Sequence, residues 1–217
     1  MSDVIRLMPR RINKESTPYS YVELLAARGL LRNDTKVVEG CVGNSGWSAS
    51  LHVAHFLGTA AVYHMVEMDS GQLAQHEARF KFGYDVTAPN RSEKPKLVWQ
   101  AGRIEEQGIL LGRADLLLFH NYVPLDQQTY EVLAGISAKA DGSYQRVQGV
   151  LEQIISAGPK VIAIFLPEFK KPNTYVEMLR SLGREPEVVP DIDYAGQIEP
   201  AKREQFKGKT LIVDLRR

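Results

Sequence analysis

The chain has 217 residues, 44% of them hydrophobic, which is enough to build the core of one large domain. Its 27 lysines and arginines nearly balance 26 aspartates and glutamates, leaving a formal net charge of +1; a global field for nucleic acid or membrane is excluded, and any anionic partner must meet a local patch. A single cysteine, Cys41, excludes a disulfide framework and cysteine-rich zinc sites, so no metal is expected.

Along the chain, Arg6, Arg10, Arg11 and Lys14 make residues 1–15 a basic extension without the apolar run of a signal peptide, and residues 16–217 read as one domain. Thr17-Pro18 has the form of a helix cap and first turn, and Tyr21, Val22, Leu24, Leu25 and Ala26 give that helix an apolar face until Gly29 stops it. Thr35 to Glu39 reads as a buried strand, and Trp47 to Leu57 as a helix with Gly58 in the capping position. A second unit follows: Ala60 to Glu67 as strand and Leu73 to Phe82 as helix, with Gly83 as its stop.

Residues 84 to 96 carry Pro89, Asn90, Pro95 and several charges, the composition of a surface loop. Then come strands at Leu97 to Gln100 and Ala114 to His120, a helix at Ser143 to Ala157, a strand at Lys160 to Leu166 and a helix from Asn173 to Leu182 ending at Gly183. Glu187 to Val189 and Thr210 to Leu215 are two last strands with no helix between them. Strands alternating with helices predict an α/β fold, a mostly parallel seven-stranded sheet with helices on both faces and an antiparallel edge. No apolar stretch reaches the ~18 residues of a membrane span, and a soluble, cytoplasmic or otherwise intracellular chain is expected.

In such a sheet ligands collect beyond the carboxyl ends of the strands, and Glu39-Gly40-Cys41-Val42-Gly43-Asn44-Ser45-Gly46-Trp47-Ser48 follows the first one. Gly43 and Gly46 allow a tight turn and close backbone approach, and free amides at the start of the Trp47 helix can receive a carboxylate or phosphate. Such glycines also serve plain strand-to-helix turns. A dinucleotide motif requires G-x-G-x-x-G, and Val42 stands where its middle glycine would fall. Gly43-Asn44-Ser45-Gly46 is similar to the phosphate loop of the pyridoxal phosphate enzymes related to cysteine synthase. Their Schiff-base lysine has no counterpart upstream, where Lys14 stands in an unrelated context.

The acid at a strand end followed by Gly-x-x-Gly-Trp-Ser, here Glu39 to Ser48, resembles the loop of the FtsJ (RrmJ) and flavivirus-type RNA methyltransferases, which use S-adenosylmethionine (SAM). The resemblance runs from about Ser16 to the C-terminus, strongest over residues 16–48. It implies a Rossmann-like methyltransferase fold, SAM as cofactor, and RNA as substrate, methylated at a ribose 2′-oxygen or a base, in capping or another setting such as viral replication. By the same resemblance Ser16, Gly43, Gly46 and Trp47 lie at the methionine part of SAM, and Glu39 is a further cofactor-binding candidate. Glu67 or Asp69, after the second strand, and Glu105 or Glu106, before the fourth, are the counterparts of the ribose and adenine acids.

The family's 2′-O chemistry uses a Lys-Asp-Lys-Glu tetrad whose charges activate the target hydroxyl. The matching positions here hold Tyr21, His120, Phe165 and either Lys209 or Thr210, and Cys41 replaces the first loop glycine. Two expectations follow. The chain either methylates another acceptor, such as a base nitrogen, with His120 and Tyr21 orienting it, or it is a pseudoenzyme whose methyltransferase-like domain binds RNA or protein without transfer. Arg10, Arg11, Lys14 and Lys170 are the candidate phosphate contacts of an RNA partner; no DNA or membrane partner is expected.

Overall fold

A computed structural model describes residues 20–43, 47–87, 94–120, 143–166, 172–190 and 209–216. The elements in order are α1 (Ser20–Ala27), β1 (Lys36–Gly40), α2 (Trp47–Ala54), β2 (Val62–Glu67), α3 (Ser70–Thr87) and β3 (Lys96–Ala101). A 3₁₀ turn (Ile104–Glu106) and a single turn of helix, α4 (Gly108–Leu111), lead to β4 (Leu116–His120), α5 (Ser143–Ala157), β5 (Val161–Leu166), α6 (Pro172–Ser181), β6 (Glu187–Pro190) and β7 (Lys209–Asp214). The Thr17-Pro18 cap lies outside the described residues.

The seven strands form one sheet in the order β3-β2-β1-β4-β5-β7-β6. Strands β1 to β5 are parallel to one another, and the antiparallel pairing expected at one edge is present, β7 running against both β5 and β6. The central strands are covered on both faces, which is why Leu116 to Phe119 and Val161 to Ile164 are unbroken apolar runs rather than alternating ones. On one face β-strand side chains pack with Tyr21, Leu25, Leu51, Val53, Phe80 and Tyr84 of α1, α2 and α3. On the other they pack with Leu111, Val147, Leu151, Ile154, Met178 and Leu179 of α4, α5 and α6. Strand order reverses between β1 and β4, and the crevice beyond their carboxyl ends is where an open α/β sheet receives its ligand.

Two expected helix stops hold. Gly29 and Gly183 adopt left-handed φ of 67° and 71°, and the following residues, Leu30 and Arg184, donate back to Leu25 and Leu179. Two others are corrected. Gly83 lies inside α3, which continues to Thr87, so residues 84–87 are helix and not loop. It is glycine because α2 comes too close for a side chain: a Cβ there would sit 2.9 Å from Cζ3 of Trp47 and 3.1 Å from Cδ2 of Leu51. Nor is Gly58 a left-handed cap. Helix α2 ends at Ala54, a tightened turn follows in which Phe56 and Leu57 donate to Val53 and Ala54, and Gly58 donates to Asn33 at 2.8 Å. The 3₁₀ turn and α4 were not expected from the sequence.

Gly40, the last residue of β1, meets Phe119 of β4 across the ladder. An added Cβ would lie 2.5 Å from Cε1 of Phe119 and 3.1 Å from Cγ1 of Ile104, both side chains being buried. Gly40→Ala is expected to lower unfolding free energy by ~1–3 kcal/mol, the range for overpacking a tight core. Urea denaturation checks this; Gly40→Ala with Phe119→Leu should recover part of the loss, and an unchanged midpoint in the single variant would refute the steric account.

Candidate functional site

The carboxyl ends of β1, β2, β3 and β4 lie side by side in register, Gly40 beside Val66 and Phe119, and Glu67 beside Ala101. The short connections after β1, β2 and β3 therefore share one rim, and each carries groups named from the sequence. After β1 the chain turns sharply. Cys41 adopts φ of 58°, a left-handed value uncommon for a residue with a side chain, and Gly43 adopts 53°. Among the described residues only Gln72 Oε1, at 3.7 Å, lies near where a Gly43 Cβ would be, so this glycine answers the backbone turn. Cys41 and Val42 both donate to the Val66 carbonyl, at 2.9 and 3.4 Å, tying the turn to the end of β2.

The turn is also held by side chains. Oε2 of Glu67 accepts the Gly43 N–H at 3.0 Å, and its Oε1 accepts the Asp69 N–H at 3.1 Å. On the other side of the same residue, the Gly43 carbonyl accepts from Nδ1 of His76, on α3, at 2.8 Å. His76 was not singled out in the sequence. The signal for it is positional: it shares the buried stripe of α3 with Leu73, Phe80, Gly83 and Tyr84, a spacing that aims it inward. Its ring lies against Trp99, with centroids 5.8 Å apart.

Glu105, in the 3₁₀ turn after β3, is the second acid at this rim. Its side chain is only 12% exposed and ion-pairs with Arg103 through Oε1 at 3.8 Å. Oε2 is buried and has no hydrogen-bond partner among the described residues. Glu67 and Glu105 are both near the Cys41 thiol. Burial first, and these two carboxylates after it, push its pKa far up, which favours the protonated thiol. Glu106 is exposed. Asp69 caps α3, its Oδ1 accepting from Gly71 at 2.8 Å and Gln72 at 2.9 Å, which gives it a structural task already.

Glu39 is not at the rim. It is fully buried beneath the turn, where its carboxylate accepts from the Tyr63 hydroxyl and, at 2.8 Å, from Ser50 Oγ of α2. Trp47, at the start of α2, is partly buried against α3.

The positions matched to the catalytic tetrad do come together. His120 pairs with Phe165, and Phe165 pairs with Thr210, making one row across β4, β5 and β7; the Tyr21 ring stacks on Phe165 at 4.4 Å. Tyr21, Phe165 and Thr210 of this row carry no charge, and Tyr21 is 2% exposed and Thr210 1%. Tyr21 therefore lies in the core, not in an open crevice. Lys209, the alternative at the fourth position, pairs instead with Leu166 and Pro190. Ser16, Gly46, Arg10, Arg11, Lys14 and Lys170 lie outside the described residues. Among those described, no cluster of three or more metal-ligating side chains occurs, and no helix is long and apolar enough to cross a membrane.

No protein-family model matches the chain, and no curated protein matches it in sequence. In structure it is similar to a TehB-like SAM-dependent methyltransferase from Corynebacterium glutamicum, at 10% identity and a TM-score of 0.51, over 92% of this chain and 89% of that one. It is also similar to precorrin-6y C5,15-methyltransferase from Geobacter metallireducens (13% identity, TM-score 0.51, 89% and 86% of the two chains). A third is TrmN from Thermus thermophilus (13%, 0.54), of which the chain covers 89% of its own length but 47% of the other. Likeness at this level of identity is likeness of fold, and the chain has the Rossmann-like fold of SAM-dependent methyltransferases, a seven-stranded mixed sheet flanked by helices.

Proposed function

We propose that the chain binds SAM at the rim formed by Gly43, Glu67 and Glu105, and directs its methyl group to RNA. The observation that carries the reading is the pair of carboxylates, one after β2 and one after β3, flanking a left-handed glycine turn after β1. These residues fit a nucleoside. Glu105 has a buried oxygen free to accept among the described residues, and a carboxylate such as Glu67, with about four lone-pair sites, can take ligand hydroxyls beyond its two backbone donors. Glu67 is suited to the ribose and Glu105 to the adenine side, while the open space at Gly43 lets the backbone come close. SAM supplies an electrophilic methyl group on a sulfonium.

RNA as acceptor is supported by the resemblance of Glu39 to Ser48 to the FtsJ and flavivirus-type loop and by the basic residues Arg10, Arg11, Lys14 and Lys170. A structural neighbour from Clostridium thermocellum, provisionally named an rRNA methylase, has a TM-score of 0.52 at 9% identity over 89% of this chain and 94% of its own. Along that row Tyr21 and Phe165 stand at the two positions that the resemblance matches to the family's lysines, which supports an acceptor that needs no lysine to activate it, such as a base nitrogen, over a ribose hydroxyl. The same row favours, as the second reading, a domain that binds SAM and RNA without transfer.

Calorimetry with S-adenosylhomocysteine tests the cofactor reading, and transfer of labelled methyl from SAM to RNA separates the two readings. Glu67→Ala is expected to weaken binding on the order of 10- to 100-fold, the span for losing hydrogen bonds to a charged group. A folded wild-type chain with no heat of binding at millimolar ligand would remove the proposal.

A further inference from the structure

We infer that His76 is a positioning residue for the ligand loop, anchoring the Gly43 carbonyl so that the turn keeps its shape while Glu67 attends to a ligand. The inference rests on the SAM reading for the identity of that ligand, but its geometry does not. Gly43 is gripped from both sides of its backbone, its N–H by Glu67 Oε2 at 3.0 Å and its carbonyl by His76 Nδ1 at 2.8 Å. The two grips differ in kind. Glu67 is partly exposed at the rim and is the residue a nucleoside's hydroxyls would draw upon. His76 is fully buried, fixed on α3 and set against Trp99, where no ligand competes for it.

The left-handed turn at Gly43 is one of several conformations open to a glycine, so it must be imposed by its partners. If Glu67 were the sole restraint, every hydrogen bond it gave a ligand would loosen the surface that the ligand lies on. A second restraint from a rigid helix removes that conflict. It also makes the ring tautomer part of the design: the carbonyl can only accept, so Nδ1 must carry the proton.

Two substitutions separate this role from plain packing. His76→Leu keeps an apolar group against Trp99 but removes the donor. His76→Asn loses the ring but sets an amide nitrogen one bond beyond Cγ, where Nδ1 stands. Amide hydrogen exchange at Gly43 in the ligand-free chain is expected to quicken about tenfold in His76→Leu and to change little in His76→Asn, and affinity for S-adenosylhomocysteine should fall about tenfold and less than threefold respectively, as for loss of one buried hydrogen bond. The opposite order in exchange, or equal effects of the two changes, would overturn the inference in favour of packing. Should the wild-type chain bind no S-adenosylhomocysteine, the SAM reading falls and the exchange rates alone decide the role of His76. A long-range ¹H–¹⁵N spectrum of the wild-type protein gives an answer that depends on no variant: a ring protonated only at Nε2 would overturn the inference outright.

Discussion

Glu39→Leu should destabilise the chain by ~2–6 kcal/mol, and adding Tyr63→Phe should return a substantial part of that loss. The carboxylate is fully buried with hydroxyls of Tyr63 and Ser50 as donors, Tyr63 itself having no solvent exposure. Leucine fills a similar volume, so the cost is that of two buried donors left without their acceptor, about 1–3 kcal/mol each. Removing the Tyr63 hydroxyl as well converts a broken polar pair into apolar contact, which is near neutral when shapes match. The same carboxylate, with burial ahead of it as the larger cause, holds the Tyr63 phenol well above its usual pKa, so that proton is not shed in the working range. Urea unfolding of the single and double variants checks the prediction; a double variant no more stable than Glu39→Leu would show that the carboxylate matters for some other contact.

The second large effect is expected from acid. His52, on α2, is 8% exposed, and burial, with a smaller contribution from His55, lowers its pKa from 6.5 to about 4. Its Nε2 lies 4.0 Å from Glu23 of α1, too far to offset the burial. The unfolded chain therefore binds a proton at a pH where the folded chain does not. The contribution is complete above pH 6.5 and is lost as pH falls through about 4, on the order of 3 kcal/mol in all. Unfolding free energy measured from pH 7 to 4 should drop more steeply for the wild type than for His52→Phe. Parallel curves for the two proteins would refute the assignment.

The strands were legible because parallel strands buried on both faces are written as runs: Leu116-Leu117-Leu118-Phe119 can be little else. Gly29 and Gly183 were legible for a similar reason, since each cap is decided within a few residues of chain. Gly83 was not. Its cause is the ring of Trp47, on another helix, and a local reading turns a close approach into a stop signal. Glu39 shows the same limit in the site. Its place at a strand end, read through the resemblance, suggested a ligand contact, but the donors that claim it come from Ser50 and Tyr63, 11 and 24 residues further on. The resemblance offered Glu67 or Asp69 and Glu105 or Glu106 from their places relative to the strands; which acid of each pair turns toward Cys41 depends on the fold, and position in the chain alone left it open. His76 was missed because the link to Gly43 spans 33 residues and depends on how α3 lies over the loop.

The tight seating of Gly83 against Trp47 acts together with the His76 grip on Gly43. The indole opens α2 at the far end of the loop and the histidine secures its near end, so both flanks of residues 43–47 are referred to a single 18-residue rod, α3. Because Trp99 lies against that rod too, through Phe80 and His76, the chain's two indoles, Trp47 and Trp99, both abut the element that carries the loop. Their emission thus reports on packing around that helix, needing no attached dye.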